Sequence, residues 1–399
     1  MSGPRILFAW ELGGGLGHLT RIAPIARALL ERGASVQVAV SDLARAAAWL
    51  DPRIGLHQCP LAGSARVPAL PQFNAAGLLA RSGWLDAPAL DGRLRAWDGL
   101  LDALDPQLLV CDFAPTGLLA ARGRRMAVAA LGNGFDLPPP GEPLPAMGWW
   151  EPVDAAAMAA TEAALLAGAN AALLRRGVAP LPQLDALFRC DWRAAASLAA
   201  FDPYRDRPAG DVEFLGLPAL PPAGLTPDWP TEQAPAAFVY LRAERAYAEA
   251  VLAALRAARA KALVCATALD AAAAAELSTR AIRVSHEPYA PAAALAGADF
   301  VITHSGTGLG ASAVALGKPV VLLPLYREQL MVAQRLVEAG VARCIRPDRL
   351  SDLPAAVAAI AQDGEFARAA RRFAAHLPVP ADPTAQIASR LLALAAAAS

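Results

Sequence analysis

Residues 298–329 read ADFVITHSGTGLGASAVALGKPVVLLPLYREQ. Residues 299–303 predict a short buried strand, and residues 309–316 a helix of small and apolar side chains closed by Gly317 and Pro319. A second buried strand follows at 320–323. A strand that passes into a helix and then into another buried strand is the repeat of a parallel α/β sheet. The first N–H groups of such a helix have no intrahelical partner and carry the positive end of its dipole, so a phosphate docks there. His304, Gly306, Thr307 and Gly308 stand at that junction, and His304 is expected to donate a further hydrogen bond. Glu328 and Gln329 fall just past the second strand, at the edge where open α/β sheets hold ligands.

The same alternation extends over most of the chain. Strands are expected at residues 5–10, 35–40, 55–58, 107–112, 126–131 and 212–217, then at 237–241, 263–266, 282–285, 299–303, 320–323 and 342–345. The spacing of Leu19, Ile22, Ile25, Ala26 and Leu29 gives the helix at 19–33 one buried stripe, and Gly33 stops it. A proline-dense run at 218–235 makes a poor helix or strand and reads as a semi-rigid linker. The expected organisation is an N-terminal domain at 1–217, this linker, a second domain at 236–380, and a final segment at 381–399 that looks helical. The fold class is α/β, with two doubly wound Rossmann-like sheets expected to face each other across a cleft.

The chain has 399 residues, too many for one core. Its 36 basic and 36 acidic residues cancel, so no global field favours nucleic acid, and no such partner is expected. Although 56% of residues are hydrophobic, alanine supplies much of that, and no transmembrane segment is expected. The N-terminus lacks the pattern of a secretory signal. Five cysteines (Cys59, Cys111, Cys190, Cys265, Cys344) are scattered without C-x-x-C spacing, which points to a reducing cytoplasm and no structural metal.

The first strand runs into ELGGGLGHLTRIAP, residues 11–24. Three readings stand. As a dinucleotide fingerprint it has Gly13 and Gly15 but His18 where a third glycine should be, which weakens a nicotinamide assignment. As a purely structural turn, the glycines bend the chain and His18 caps a helix. As a site, Gly15 and Gly17 let a ligand approach the backbone while His18 serves as a base. Asp112 ends the buried run LLVCD, where an unpaired charge is costly. It is either the carboxylate that fixes the His18 tautomer or an N-cap for the next helix.

The 298–329 stretch resembles the donor-binding signature of GT-B glycosyltransferases, above all the family that glycosylates lipids and small molecules from nucleoside diphosphate sugars. The resemblance is carried by His304, Gly306, the Ala313, Gly317 and Pro319 run, and Pro324 with Glu328 and Gln329. It implies that His304 and the adjoining amides hold the diphosphate and that Glu328 and Gln329 touch sugar hydroxyls. Gly17, His18 and Pro24 resemble the family's N-terminal segment, in which the histidine is the general base. Residues 105–113 resemble the strand that supplies its partner acid, here Asp112, with Gln107 in place of a first aspartate.

Several positions depart from the family pattern. Ser312 stands where a glutamate usually binds the ribose hydroxyls, and Arg21 replaces a proline. Arg242 and Ala243 replace a Gly-Ser turn, so Arg242 becomes the candidate phosphate ligand there. His286, Glu287, Pro288 and Tyr289 occupy the place of the base pocket. Residues 131–140 with Trp149 and Trp150 suggest a mobile loop near the acceptor side. His57 and His376 receive no assignment.

The resemblance implies an inverting hexosyltransferase that uses a UDP or dTDP sugar as co-substrate, needs no cofactor or metal, and glycosylates a hydroxyl of a small molecule or lipid. An apolar acceptor would bring it to a membrane surface without a spanning helix. The rival readings are a sugar-nucleotide epimerase or hydrolase of the same fold, a non-catalytic nucleotide-sugar-binding protein, and a nicotinamide oxidoreductase.

Overall fold

The computed structural model describes residues 3–61, 72–221, 223–242, 244–304, 306–378 and 382–398. Ala243 and the junction at residues 380 and 381 lie outside them. The chain divides into two compact units. The first comprises Met1–Ser197, Tyr204–Pro218 and Asp382–Ser399, and the second Leu198–Pro203 and Ala219–Ala381.

The first unit is built on seven parallel strands: β1 (Arg5–Trp10), β2 (Ser35–Val40), β3 (Gly55–Gln58), β4 (Leu108–Asp112), β5 (Ala127–Gly132), β6 (Trp192–Ala195) and β7 (Glu213–Phe214). Their order is β3-β2-β1-β4-β5-β6-β7. Each central strand is buried on both faces, as parallel sheets covered by helices require. Ile6, Phe8 and Trp10 of β1 share one core with Leu19, Ile22, Ile25 and Leu29 of the helix Leu16–Glu31. Ile387, Ala388, Leu391 and Ala395 of the last helix, Thr384–Ala397, complete that core.

The expected strand at 212–217 shrinks to two residues because Gly216, at φ 116°, ends it. Strand β6 is only four residues long, and its sequence WRAA carries no period that sets it apart. The loop after β5, expected to be mobile, is tied down instead. Tyr204 Oη donates to the Phe135 carbonyl at 3.1 Å, Arg207 donates to the Leu137 and Gly134 carbonyls at 2.7 and 2.9 Å, and Arg193 donates to the Pro138 carbonyl at 2.7 Å.

Among the described residues one helix, Ala155–Arg175, is long and apolar enough to cross a membrane by length and composition. Its inward face carries Met158, Leu165, Ala169 and Leu173 together with Glu162. That carboxylate accepts from Asn74 Nδ2 at 2.6 Å and from the Leu144 amide at 2.8 Å. A buried acid held by such specific partners is the mark of a helix inside a folded unit.

The second unit repeats the plan with β8 (Ala236–Leu241), β9 (Lys261–Ala266), β10 (Ile282–Ser285), β11 (Phe300–Thr303), β12 (Val320–Leu322) and β13 (Ala342–Cys344), all parallel in the order β10-β9-β8-β11-β12-β13. Val239, Val264, Ile302 and Val321 form its core with Val251, Leu255 and Val357 from flanking helices. The run read as a linker is attached to this unit. The Leu225 amide donates to the Pro288 carbonyl and the Ala290 amide to the Leu225 carbonyl, both at 2.9 Å. A Cβ on Gly297 would stand 2.5 Å from Trp229 Nε1, so the helix can approach Trp229 only with glycine there.

Candidate functional site

In open α/β sheets ligands gather at the carboxyl edge where the strand order reverses. In the first unit that point lies between β1 and β4, whose last residues, Trp10 and Asp112, are register partners. After β1 the chain turns through Gly13, at φ 88°, and enters the helix Leu16–Glu31. Gly15 is its N-cap without a side-chain bond, so His18, three residues on, is not a cap. The ring of His18 stacks between Trp10 and Phe113, with centroids 4.8 Å and 6.4 Å away and planes within 20° and 15°.

His18 Nδ1 lies 2.7 Å from Asp112 Oδ1. At that distance a carboxylate oxygen requires a proton between the two atoms, so Nδ1 donates and Nε2 keeps the lone pair. Arg21 Nη2 also approaches Nδ1, at 3.3 Å, but it already donates to Asp112 Oδ1 at 2.6 Å. Nε2 lies beside Gly13, where a Cβ would stand 2.6 Å from it. The bare Cα therefore keeps the reactive face of the ring open. Asp112 is fully buried and does not cap the next helix, whose N-cap is Ala114. Burial alone would push its carboxyl up, yet Arg21 and His18 together hold it below the usual range.

Sequence reasoning passed over two carboxyls of this unit, Asp136 beside this pair and Glu11 on the turn after β1. Asp136, on the loop after β5, is pushed up to about 6, first by burial and also by the charge of Asp112, against the pull of Arg21 and His18. Its Oδ1 accepts from the Asn133 amide at 3.1 Å, and its Oδ2 is buried without a hydrogen-bond partner. Gly132 makes room for it, since a Cβ there would stand 2.0 Å from Oδ1. Glu11, directly after β1, is 4% exposed and is pushed up to about 7 by burial. It accepts from the Thr116 amide at 2.8 Å and from the Thr116 hydroxyl, and it lies 3.7 Å from Arg93 Nη1.

In the second unit the order reverses between β8 and β11. Arg242 follows β8 and His304 follows β11, so the strand pairing brings these two expected phosphate ligands to one point. Burial, and then the positive charge of Arg242, lower the affinity of His304 for a proton. Its Nδ1 donates to the Leu323 carbonyl at 2.7 Å, and its Nε2 is buried without a hydrogen-bond partner. A neutral ring whose Nδ1–H is taken presents only a lone pair at Nε2. His304 therefore donates to an anion only as imidazolium, which corrects the simpler expectation of a ready-made donor.

The helical run begins at Gly306, three residues before the expected 309, with a wide turn over Gly306–Gly310 followed by Ala311–Ala315. Thr307 Oγ1 donates to Glu328 Oε1 at 3.0 Å, and the Leu325 amide donates to Gln329 Oε1 at 2.8 Å. Gly308 is exposed and Ser312 half-buried. His286 ends up at the edge of the sheet beyond β10, two strands from β8, with Glu287 Oε1 3.7 Å from its Nε2. At a strand spacing of about 4.8 Å, β10 lies about 10 Å from β8 and about 14 Å from β11, so His286 is on the same edge but away from His304.

Among the glycines singled out, Gly17 meets nothing within 4 Å of a built Cβ, so the fold itself does not demand it. Gly306 is different: a Cβ would stand 2.6 Å from Val332 Cγ1 on the helix Arg327–Glu338. Gly306→Ala is therefore expected to destabilise the second unit by about 1–3 kcal/mol. An unchanged urea midpoint for that unit would show that Val332 yields without cost.

Neither unassigned histidine joins a site. His57 Nε2 pairs with Gln37 Oε1 at 2.8 Å, and His376 Nδ1 donates to the Arg372 carbonyl at 2.7 Å. The five cysteines are free thiols, with Cys190, Cys265 and Cys344 pushed up by burial to about 11, 12 and 11. Among the described residues, no three His, Cys, Asp or Glu side chains group so as to hold a metal.

Residues 246–380 match the glycosyltransferase family 28 C-terminal domain. No curated protein matches the sequence. Among solved structures, the calicheamicin glycosyltransferase is similar over 99% of this chain and 98% of its own, at 20% identity and a TM-score of 0.68. The glycosyltransferase of kitacinnamycin matches over 98% and 99%, at 18% identity and a TM-score of 0.70. A spinosyn rhamnosyltransferase complexed with thymidine diphosphate matches over 97% and 99%, at 18% identity and a TM-score of 0.64. The whole chain has the GT-B fold of these proteins.

Proposed function

We propose that this GT-B protein, with its glycosyltransferase family 28 C-terminal domain, transfers a sugar with inversion from a UDP or dTDP sugar to a hydroxyl of a small-molecule or lipid acceptor. The observation that carries the reading is the 2.7 Å contact between His18 Nδ1 and a fully buried Asp112. It leaves a lone pair on Nε2 at the reversal point of the first sheet. In this reading Nε2 takes the acceptor proton as the oxygen attacks the anomeric carbon, and Asp112 stabilises the imidazolium that forms.

The second unit supplies the hold on the leaving diphosphate. Arg242, imidazolium His304 and the amides from Gly306 to Gly308 would meet its charge as it develops, an effect worth about 3 kcal/mol for each well-placed donor. Glu328 and Gln329 would face the sugar hydroxyls. The thymidine diphosphate of the spinosyn enzyme supports a nucleoside diphosphate donor here. No divalent ion is assigned a role.

Melting temperatures measured with UDP, dTDP, GDP, NAD and NADP test the donor class. A nucleotide at about one hundred times its dissociation constant adds about 2.7 kcal/mol of stability. A selective rise with UDP or dTDP is expected. A rise with NAD alone, or with none, would remove the reading. With the selected donor sugar, transfer is expected to persist in EDTA and to yield the inverted anomer. Retention at the anomeric carbon would exclude a single displacement driven by His18.

A further inference from the structure

The buried charge around His18 includes one group more than a base and its partner acid need. Arg21 is 6% exposed and Asp112 fully buried, a setting in which desolvation cancels most of the attraction and an apolar pair would hold the fold as well. Yet the geometry is specific. Arg21 Nε donates to Asp112 Oδ2 at 2.9 Å and Nη2 donates to Oδ1 at 2.6 Å, the two-pronged arrangement that sets both the rotation and the plane of a carboxylate. Oδ1 is the same oxygen that faces His18 Nδ1. His18 and Arg21 are three residues apart on one helix, so a single turn carries both the ring and the clamp.

We propose that Arg21 is a positioning residue of the transfer reaction: by clamping both oxygens of Asp112 it aims Oδ1 at His18 Nδ1 and so keeps the lone pair of the ring on Nε2. The inference rests on His18 acting as the base. Asp112 is faced by His18 and Arg21 from the helix, by Cys111 from its own strand and by Asp136 from the loop after β5. Arg21 is the one permanent cation among them. Without it, burial and the neighbouring Asp136 favour the neutral carboxyl, with His18 alone left to oppose them. A protonated Asp112 would donate to Nδ1, and the ring proton would move to Nε2, where the ring no longer accepts from a substrate.

The chain has five histidines, few enough for ring nitrogens to be followed by NMR after selective 15N-histidine labelling. At pH 7 the expected His18 tautomer is Nδ1–H in the parent and Nε2–H in Arg21→Met, with Nδ1–H retained in Arg21→Lys, which keeps the charge. Arg21→Gln carries the same expectation as Arg21→Met and serves if the latter does not fold. Transfer by the neutral variants is expected to fall at least about tenfold in kcat with the donor KM within about twofold.

An Nε2–H ring in the parent, or an unchanged Nδ1–H tautomer in a neutral variant, would overturn the proposal. His18→Ala measured in parallel separates the two ideas. If it still transfers sugar, the base reading has failed. If it is inactive while Arg21→Met matches the parent in kcat and tautomer, only the role of Arg21 is lost.

Discussion

Replacing His18 with alanine is expected to lower sugar transfer by a factor of about a hundred to ten thousand, the range for removing a positioned general base, while the affinity for UDP or dTDP stays within about twofold. The second half of that expectation follows from the division of labour. The residues proposed to hold the diphosphate, His304, Arg242 and the Gly306–Gly308 amides, all belong to the second unit, whereas His18 belongs to the first. The substitution also empties the space between Trp10 and Phe113, so some loss of stability in the first unit will accompany it.

Added imidazole distinguishes packing from proton transfer. It fits the gap left by the ring and is expected to restore part of the rate with a dependence on the fraction of neutral imidazole. If the variant transfers at the parental rate, His18 has no place in the chemistry. If it loses nucleotide affinity in step with activity, it is a binding residue and not a base.

How far this site was legible in the sequence depends on what each residue does locally. Strands β1, β2, β3 and β10 have the bounds that their apolar runs suggest, because turn-forming residues bracket each of them. His18 and Asp112 were legible for the same reason, since a polar residue at the end of a buried strand or the start of a helix stands out against its neighbours. Arg21 stood out only as the replacement of a proline, because arginine at i+3 on a helix is usually solvated. Only the fold shows that this turn faces Asp112.

Asp136 was missed although its loop was noticed. The signal was present, a carboxyl after Gly132 and Gly134 at the end of a buried strand, but the charges that act on it, Arg21, Asp112 and His18, come from β4 and the first helix, more than twenty residues away. The tautomer of His304 was beyond reach as well. It depends on a backbone carbonyl at Leu323, and a carbonyl leaves no mark in composition or spacing.

Glu11 leads to the second large effect, on stability. Its carboxyl is pushed up to about 7 by burial, which outweighs the bonds from Thr116 and the pull of Arg93, against about 4.5 in an unfolded chain. Between those values the folded state binds the extra proton, so the stability of the first unit is expected to fall as pH rises from about 4.5 to about 7. At 1.36 kcal/mol per pH unit the loss amounts to about 3 kcal/mol.

Glu11→Gln removes this titration while keeping the contacts, since its Oε1 still accepts from the Thr116 amide and its Nε2 donates to the Thr116 hydroxyl. The variant is therefore expected to be more stable than the parent at pH 8 and close to it near pH 5. Seven of the eight tryptophans lie in the first unit, Trp229 being the exception, so urea unfolding followed by tryptophan fluorescence reports on the right part of the molecule. Asp136, pushed up to about 6, adds a slope of the same sign below that pH in both proteins and cancels in the comparison. Parallel stability curves from pH 5 to 8 would mean that Glu11 is ionised in the fold and that its 3.7 Å approach to Arg93 is a working ion pair. A pair of curves that meets near pH 5 and separates toward pH 8 would identify the turn after β1 as held by a neutral acid.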